Sequence, residues 1–185
     1  MIVHEFGSNY SIDFHKVSSA DSPLLERFSC ENEAIKNFVQ HDCLESKKDV
    51  TYVFVDKENN RLIGMCAICC NGISIVERIS GVAFNTSIPA VEIDYFAIDE
   101  EYRSSPYDND SNRYNTLSQA LFLYMMDYIE KISVNCIGAT HICLYAVPRA
   151  VSFYKRCGFD LFEFFMKRDN QPFLDDCVPM FFKMK

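Results

Sequence analysis

Glycine and proline are scarce in this 185-residue chain, at six each. With 49% apolar and 14% aromatic residues, that scarcity excludes the disordered and fibrous classes, which are poor in apolar residues or rich in glycine and proline. No apolar run reaches the length of a membrane-spanning helix. The first residues, Met1-Ile2-Val3-His4-Glu5, lack the layout of a signal peptide, so a soluble, cytoplasmic protein is expected. Repeats, low-complexity stretches and a domain linker are missing too. One domain over residues 1–185 with one sizeable core is the expectation. Positive charge is in deficit: 18 Lys and Arg stand against 26 Asp and Glu, for a net charge of −8. This argues against broad electrostatic attraction to nucleic acid or an anionic membrane. It is compatible with a cationic or amine substrate, although taken alone it reads as an ordinary acidic surface that keeps the chain in solution.

Nine cysteines are present, an odd count without an export signal. Cys66, Cys69, Cys70 and Cys143 lie inside apolar runs, which points to buried thiols in a reducing compartment rather than disulfides. Cys66-x-x-Cys69 has the spacing of a metal pair. It sits in a strand-like run, and no second Cys pair or nearby His pair completes four ligands, so no metal site is expected.

Read in order, Ser11–Val17 alternates like a strand, and Leu24, Leu25 and Phe28 begin the core. Asn32-Glu33 opens a helix whose apolar stripe is Ile35, Phe38 and Val39. Thr51–Val55 and Leu62–Cys70 are predicted to form a hairpin around Glu58-Asn59-Asn60, with Asn71-Gly72 closing the second strand. Residues 73–87 give no clear signal. Val91–Ile98 is the next strand, and its Glu92 and Asp94 share one face. The polar stretch Asp99–Asn115 is a long loop, the kind that often serves function. Thr116 is placed to cap the helix Leu117–Ile132, apolar on most faces with Asp127, Glu130 and Lys131 toward water. A strand His141–Val147, a short helix opened by Pro148 and stopped by Gly158, and strands Phe159–Lys167 and Pro179–Lys185 complete a mixed α/β layout.

The short helix carries Ala150-x-x-Phe153-Tyr154-x-x-x-Gly158-Phe159. This pattern resembles the late motif of the GCN5-related N-acetyltransferase (GNAT) superfamily, and the element order matches that family along almost the whole chain, most closely over residues 91–165. The resemblance implies an α/β fold with a mixed, mostly antiparallel central sheet splayed at its middle and flanked by helices. It also implies acetyl-CoA as acyl donor and an amine as acceptor. The pantetheine arm would lie along the strand ending at Phe96, Ala97 and Ile98. The pyrophosphate would sit at the start of the long helix. There the family's Arg/Gln-x-x-Gly-x-Gly/Ala motif aligns with Arg113-Tyr114-Asn115-Thr116-Leu117-Ser118, with hydroxyl residues at both glycine positions. Val147 stands where many members carry an Asn that contacts the cofactor.

By the same resemblance Tyr154 is the candidate acid that protonates the leaving thiolate, because a phenol, with a reference pKa of ~10, is protonated at neutral pH. Glu92 is the candidate base, Asp94 the second choice, and either acid could instead be an exposed strand residue or a substrate-binding carboxylate. His141, Cys143 and Cys157 read as structural. The implied acceptor is a small-molecule, peptide or protein amine, without nucleic acid or membrane partners. A homodimer through an exposed final strand is open. Two alternatives stand beside this: a GNAT-fold sensor or interaction module without catalysis, and a relative of toxins that acetylate aminoacyl-tRNA, which residues 28–39 loosely resemble.

Overall fold

The computed structural model describes residues 2–6, 10–107, 116–162 and 176–185. Those residues form a mixed α/β structure with eight strands and four α-helices. They divide into two compact units, one of Met1–Ile68 with Asp94–Tyr124 and one of Cys69–Ile93 with Met125–Lys185.

In the first unit, β1 (Ile2–Phe6), β2 (Tyr10–Lys16), β3 (Val50–Asp56) and the start of β4 (Arg61–Ile79) pair antiparallel in that order. The β3–β4 hairpin forms where the sequence predicts it. Its turn is fixed by Asp56, which accepts hydrogen bonds from the Glu58 and Asn59 amides, the Asn59 side chain and the Tyr102 hydroxyl. Burial pushes the Asp56 carboxyl up, and these four donors more than reverse it, leaving it below the usual range. Asn60 closes the turn at φ 50°, a left-handed conformation that Asn tolerates.

After a short α1 (Ser22–Leu25), α2 (Glu33–Asn37) starts at Asn32, whose side chain caps the Ala34 and Ile35 amides at 3.0 and 3.2 Å. The helix continues into a wider turn, Phe38–Asp42, that buries Phe38 and Val39. With Leu25, Phe28, Val53, Leu62 and Met65 they form the core of this unit.

The end of β5 (Val82–Ile98) lies against this layer through Gly64. A Cβ at Gly64 would stand 2.6 Å from both the Ala97 carbonyl oxygen and Ile98 Cδ1. Backbone cannot give way as a flexible side chain does. Gly64→Ala is therefore expected to cost about 1–3 kcal/mol, read as a lower urea midpoint; an unchanged midpoint would show that the two strands separate without penalty.

The helix α3 occupies Leu117–Ile132, as the sequence predicts. Its first half buries Leu117, Leu121 and Phe122 in the first unit, with the Phe122 ring edge-on to Phe96 at 4.9 Å. Its second half buries Met125 and Ile129, and Lys131 pairs with Asp127 on the exposed side. One wide turn, Ser133–Ile137, follows, and Gly138 ends it at φ 67°.

In the second unit, β5 runs parallel to β6 (His141–Ala146) from Ala90 opposite His141 to Ile93 opposite Leu144. The last strand, β8 (Val178–Lys183), pairs antiparallel with the whole of β6. On its other side β7 (Asp160–Leu161) pairs with Met180 and Phe181, two of the six residues of β8. The predicted strand Phe159–Lys167 is reduced to β7 here, and residues 163–167 lie outside the described residues.

The largest departure from expectation concerns Asn71-Gly72. This pair does not close a strand: β4 continues through it to Ile79, turns at Ser80-Gly81, and returns as β5. Both turn residues have positive φ, 52° and 84°, the two-residue geometry that matches strand twist. Gly72 serves packing instead, since a Cβ there would fall 2.3 Å from Ser87 Oγ. Cys70, which was expected inside, is exposed, while Cys69 stays buried. No helix among the described residues is long and apolar enough to cross a membrane.

Candidate active site

The two residues expected to move protons both belong to the second unit. Glu92 lies on β5 opposite Cys143 of β6 and is 1% exposed, so the reading of an exposed strand acid does not hold for it. Its Oε2 accepts a hydrogen bond from Asn71 Nδ2 on β4, and Cys69 Sγ stands 3.9 Å away. Asn71 Oδ1 in turn accepts from the Gly72 amide at 2.7 Å. A buried carboxylate is costly unless donors face it, and here β4 brings Asn71 Nδ2 and the Cys69 thiol to Oε2.

Tyr154 is placed by local backbone chemistry. Val147 is extended at φ −58°, ψ 145°, as a residue before proline prefers, and Pro148 opens one tight turn ahead of α4 (Val151–Arg156). The helix then ends in a Schellman arrangement: the Gly158 amide donates to Lys155 O at 3.0 Å, and the Phe159 amide to Tyr154 O at 3.1 Å. Gly158 takes φ 93°, which disfavours any residue with a Cβ. The half-buried Tyr154 ring meets Phe153 and Phe159 edge-on, with centroids 5.2 and 6.0 Å apart.

The neighbouring groups read as structural are built into the unit. Burial pushes the Cys157 thiol up to about 11 against the opposing Arg156 charge, which keeps it protonated at neutral pH. Cys143 is buried. His141 packs beside Phe181, and burial first, then the Lys183 charge, lowers its pKa.

Asp94 and the residues expected to hold the acyl donor belong to the first unit. The Asp94 carboxylate pairs with Lys48. Asp49 lies beside it, its pKa raised by burial, by a hydrogen bond to Asp94 and by that residue's charge. Phe96, Ala97 and Ile98 end β5, and Ala97 is buried. At the start of α3, Thr116 Oγ1 accepts from the Gln119 amide at 3.2 Å, so Thr116 is the helix cap. The Leu117 amide donates to Ser105 O at 2.9 Å, and Ser118 Oγ to Arg103 O at 3.4 Å. Arg113, Tyr114 and Asn115 lie outside the described residues. Sequence reasoning missed Asn71, taken for a turn residue, and the Lys48–Asp94 pair. The apolar alternation of Ile73 and Ile75 beyond Gly72 was the available sign that the strand goes on.

No family model matches the chain, and no curated protein matches it. Solved structures do. A bacterial toxin is 21% identical with a TM-score of 0.71, covering 95% of this chain and 92% of that one. A tyrosine-to-phenylalanine mutant of the AtaT toxin is 17% identical with a TM-score of 0.72, over 99% of this chain and 94% of that one. The same mutant bound to the C-terminus of the antitoxin AtaR and acetyl-CoA gives 18% identity and a TM-score of 0.67, over 94% and 93%. With its parallel β5–β6 pair, its long α3 and its glycine-stopped α4, this chain has the GCN5-related N-acetyltransferase fold.

Proposed function

We propose that the protein is an acetyl-CoA-dependent N-acetyltransferase that moves an acetyl group directly to a primary amine. The observation that carries this reading is the likeness, over 94% of the chain, to a toxin solved with acetyl-CoA. Phe96, Ala97 and Ile98 would offer backbone to the pantetheine arm. Arg113, Tyr114, Asn115, Thr116, Leu117 and Ser118 would face the pyrophosphate. The Leu117 and Gln119 amides and the Ser118 hydroxyl already have acceptors within the protein, so the phosphates would rely more on the Arg113 guanidinium and the Thr116 hydroxyl than on a bare helix end. Tyr154 would protonate the departing thiolate. Glu92 would take the proton from the amine, directly or through water.

The test is calorimetric titration with acetyl-CoA and coenzyme A. Micromolar binding is expected, weakened about tenfold or more in Arg113→Ala by loss of a charge-assisted contact. Absence of binding at millimolar donor would overturn the transferase reading and leave a GNAT-fold interaction module.

A second reading keeps the chemistry and changes the acceptor to the aminoacyl group of a charged tRNA. The loose resemblance of residues 28–39 to such toxins motivates it, and the toxin structures share the fold at TM-scores of 0.71 and 0.72. The net charge of −8 weighs against it. An acetyl-CoA assay with charged tRNA beside a panel of free amines separates the two.

A further inference from the structure

The geometry points to Asn71 as a positioning residue for the proposed reaction: it holds Glu92 in place and keeps that carboxyl ionised, ready to accept a proton. The inference rests on the reading of Glu92 as the base. Three observations carry it. Glu92 is 1% exposed, so water cannot supply the hydrogen bonds an ionised carboxylate needs. Asn71 Nδ2 donates to Glu92 Oε2. The Asn71 amide is held in that sense from its other end, because Oδ1 accepts from the Gly72 amide at 2.7 Å; a flipped amide would set N–H against N–H and oxygen against carboxylate.

The chemistry sets the direction. A hydrogen bond donated to the charged form of an acid lowers its pKa, so removing the donor raises it. A bond to a charged group is worth enough to move the titration by about one to two pH units. A base must be deprotonated to work, so the acid limb of its pH–rate profile moves to higher pH with it.

The experiment compares wild type, Asn71→Ala and Asn71→Asp in two readouts. The first is the pH dependence of kcat/KM for acetyl transfer. The second is the carboxyl-carbon NMR titration of Glu92, assigned by its loss in Glu92→Gln, which needs no activity. Asn71→Ala is expected to shift both midpoints upward by about one to two units. Asn71→Asp keeps the acceptor for the Gly72 amide and most of the shape. It should shift them at least as far, because two carboxyls would compete for one proton. Unmoved NMR midpoints in both variants would overturn the inference, as would a fall in kcat/KM by one factor at every pH. Should Asn71→Ala fail to fold, Asn71→Asp decides by the same criteria. If wild type transfers no acetyl group, the proposed function fails, and the NMR titration still decides whether Asn71 keeps Glu92 ionised.

Discussion

Tyr154→Phe is expected to lower kcat by about 10²–10⁴-fold while leaving the Kd for acetyl-CoA within about twofold. The substitution removes one oxygen and keeps the ring. The edge-on contacts with Phe153 and Phe159 therefore survive, and so does the Schellman closure through Gly158 and Phe159, which is made by backbone. Stability should stay within about 1 kcal/mol of wild type. What is lost is a proton donor for the thiolate that leaves as the acetyl group is transferred. A kcat within twofold of wild type would return Tyr154 to the role of a core aromatic. A kcat loss matched by an equal loss of donor affinity would make it a binding residue. Stopped-flow assays with a chromogenic thiol reagent, run beside calorimetry, separate the three outcomes.

The elements nearest this tyrosine were the most legible in the sequence, because each was announced by local chemistry. Pro148 opens the turn, Gly158 closes the helix, and the apolar spacing of Ala150, Val151, Phe153 and Tyr154 sets it on its face. The same holds for α3, whose bounds agree with the predicted helix, and for Asn32 as the start of α2. Thr116 was read both as a helix cap and as part of the donor site, and its hydroxyl does cap Gln119. What could not be read is what depends on partners distant in sequence. Asn71 and Glu92 are 21 residues apart, and Lys48 and Asp94 are 46 apart; each pair exists because strands or loops are brought together by the sheet. Asn71-Gly72 misled for a definite reason. Asn-Gly is the strongest short signal of a hairpin turn, and it outweighed the short apolar alternation of Ile73 and Ile75 beyond it. The true turn, Ser80-Gly81, uses weaker residues for the same positive-φ geometry.

Glu92→Gln is expected to reduce kcat at neutral pH by about 10²–10⁴-fold, and the deficit should shrink as pH rises. The argument begins with structure. Glutamine matches glutamate in size, and its side-chain oxygen can accept from Asn71 Nδ2, so the β4–β5 contact persists without the charge. Removing the charge from a site 1% exposed relieves its desolvation cost and offsets the burial of an amide NH2 in its place, so the fold should persist, as an unchanged urea unfolding transition to within about 1–3 kcal/mol would show. Chemistry gives the pH dependence. An amine acceptor attacks only when neutral, and alkyl ammonium groups titrate near ~10.4. At neutral pH about one such molecule in a few thousand is free base, and the enzyme needs a carboxylate to draw off the proton. Each unit of rising pH supplies about ten times more neutral amine without help, until the amine's own pKa is reached. The ratio of wild-type to variant kcat/KM should therefore fall toward one between neutral and strongly alkaline pH. A ratio constant across that range would assign Glu92 to holding the ammonium form of the acceptor rather than to deprotonating it. A ratio near one at neutral pH would remove Glu92 from the reaction and direct attention to water or to the substrate's own groups as the base.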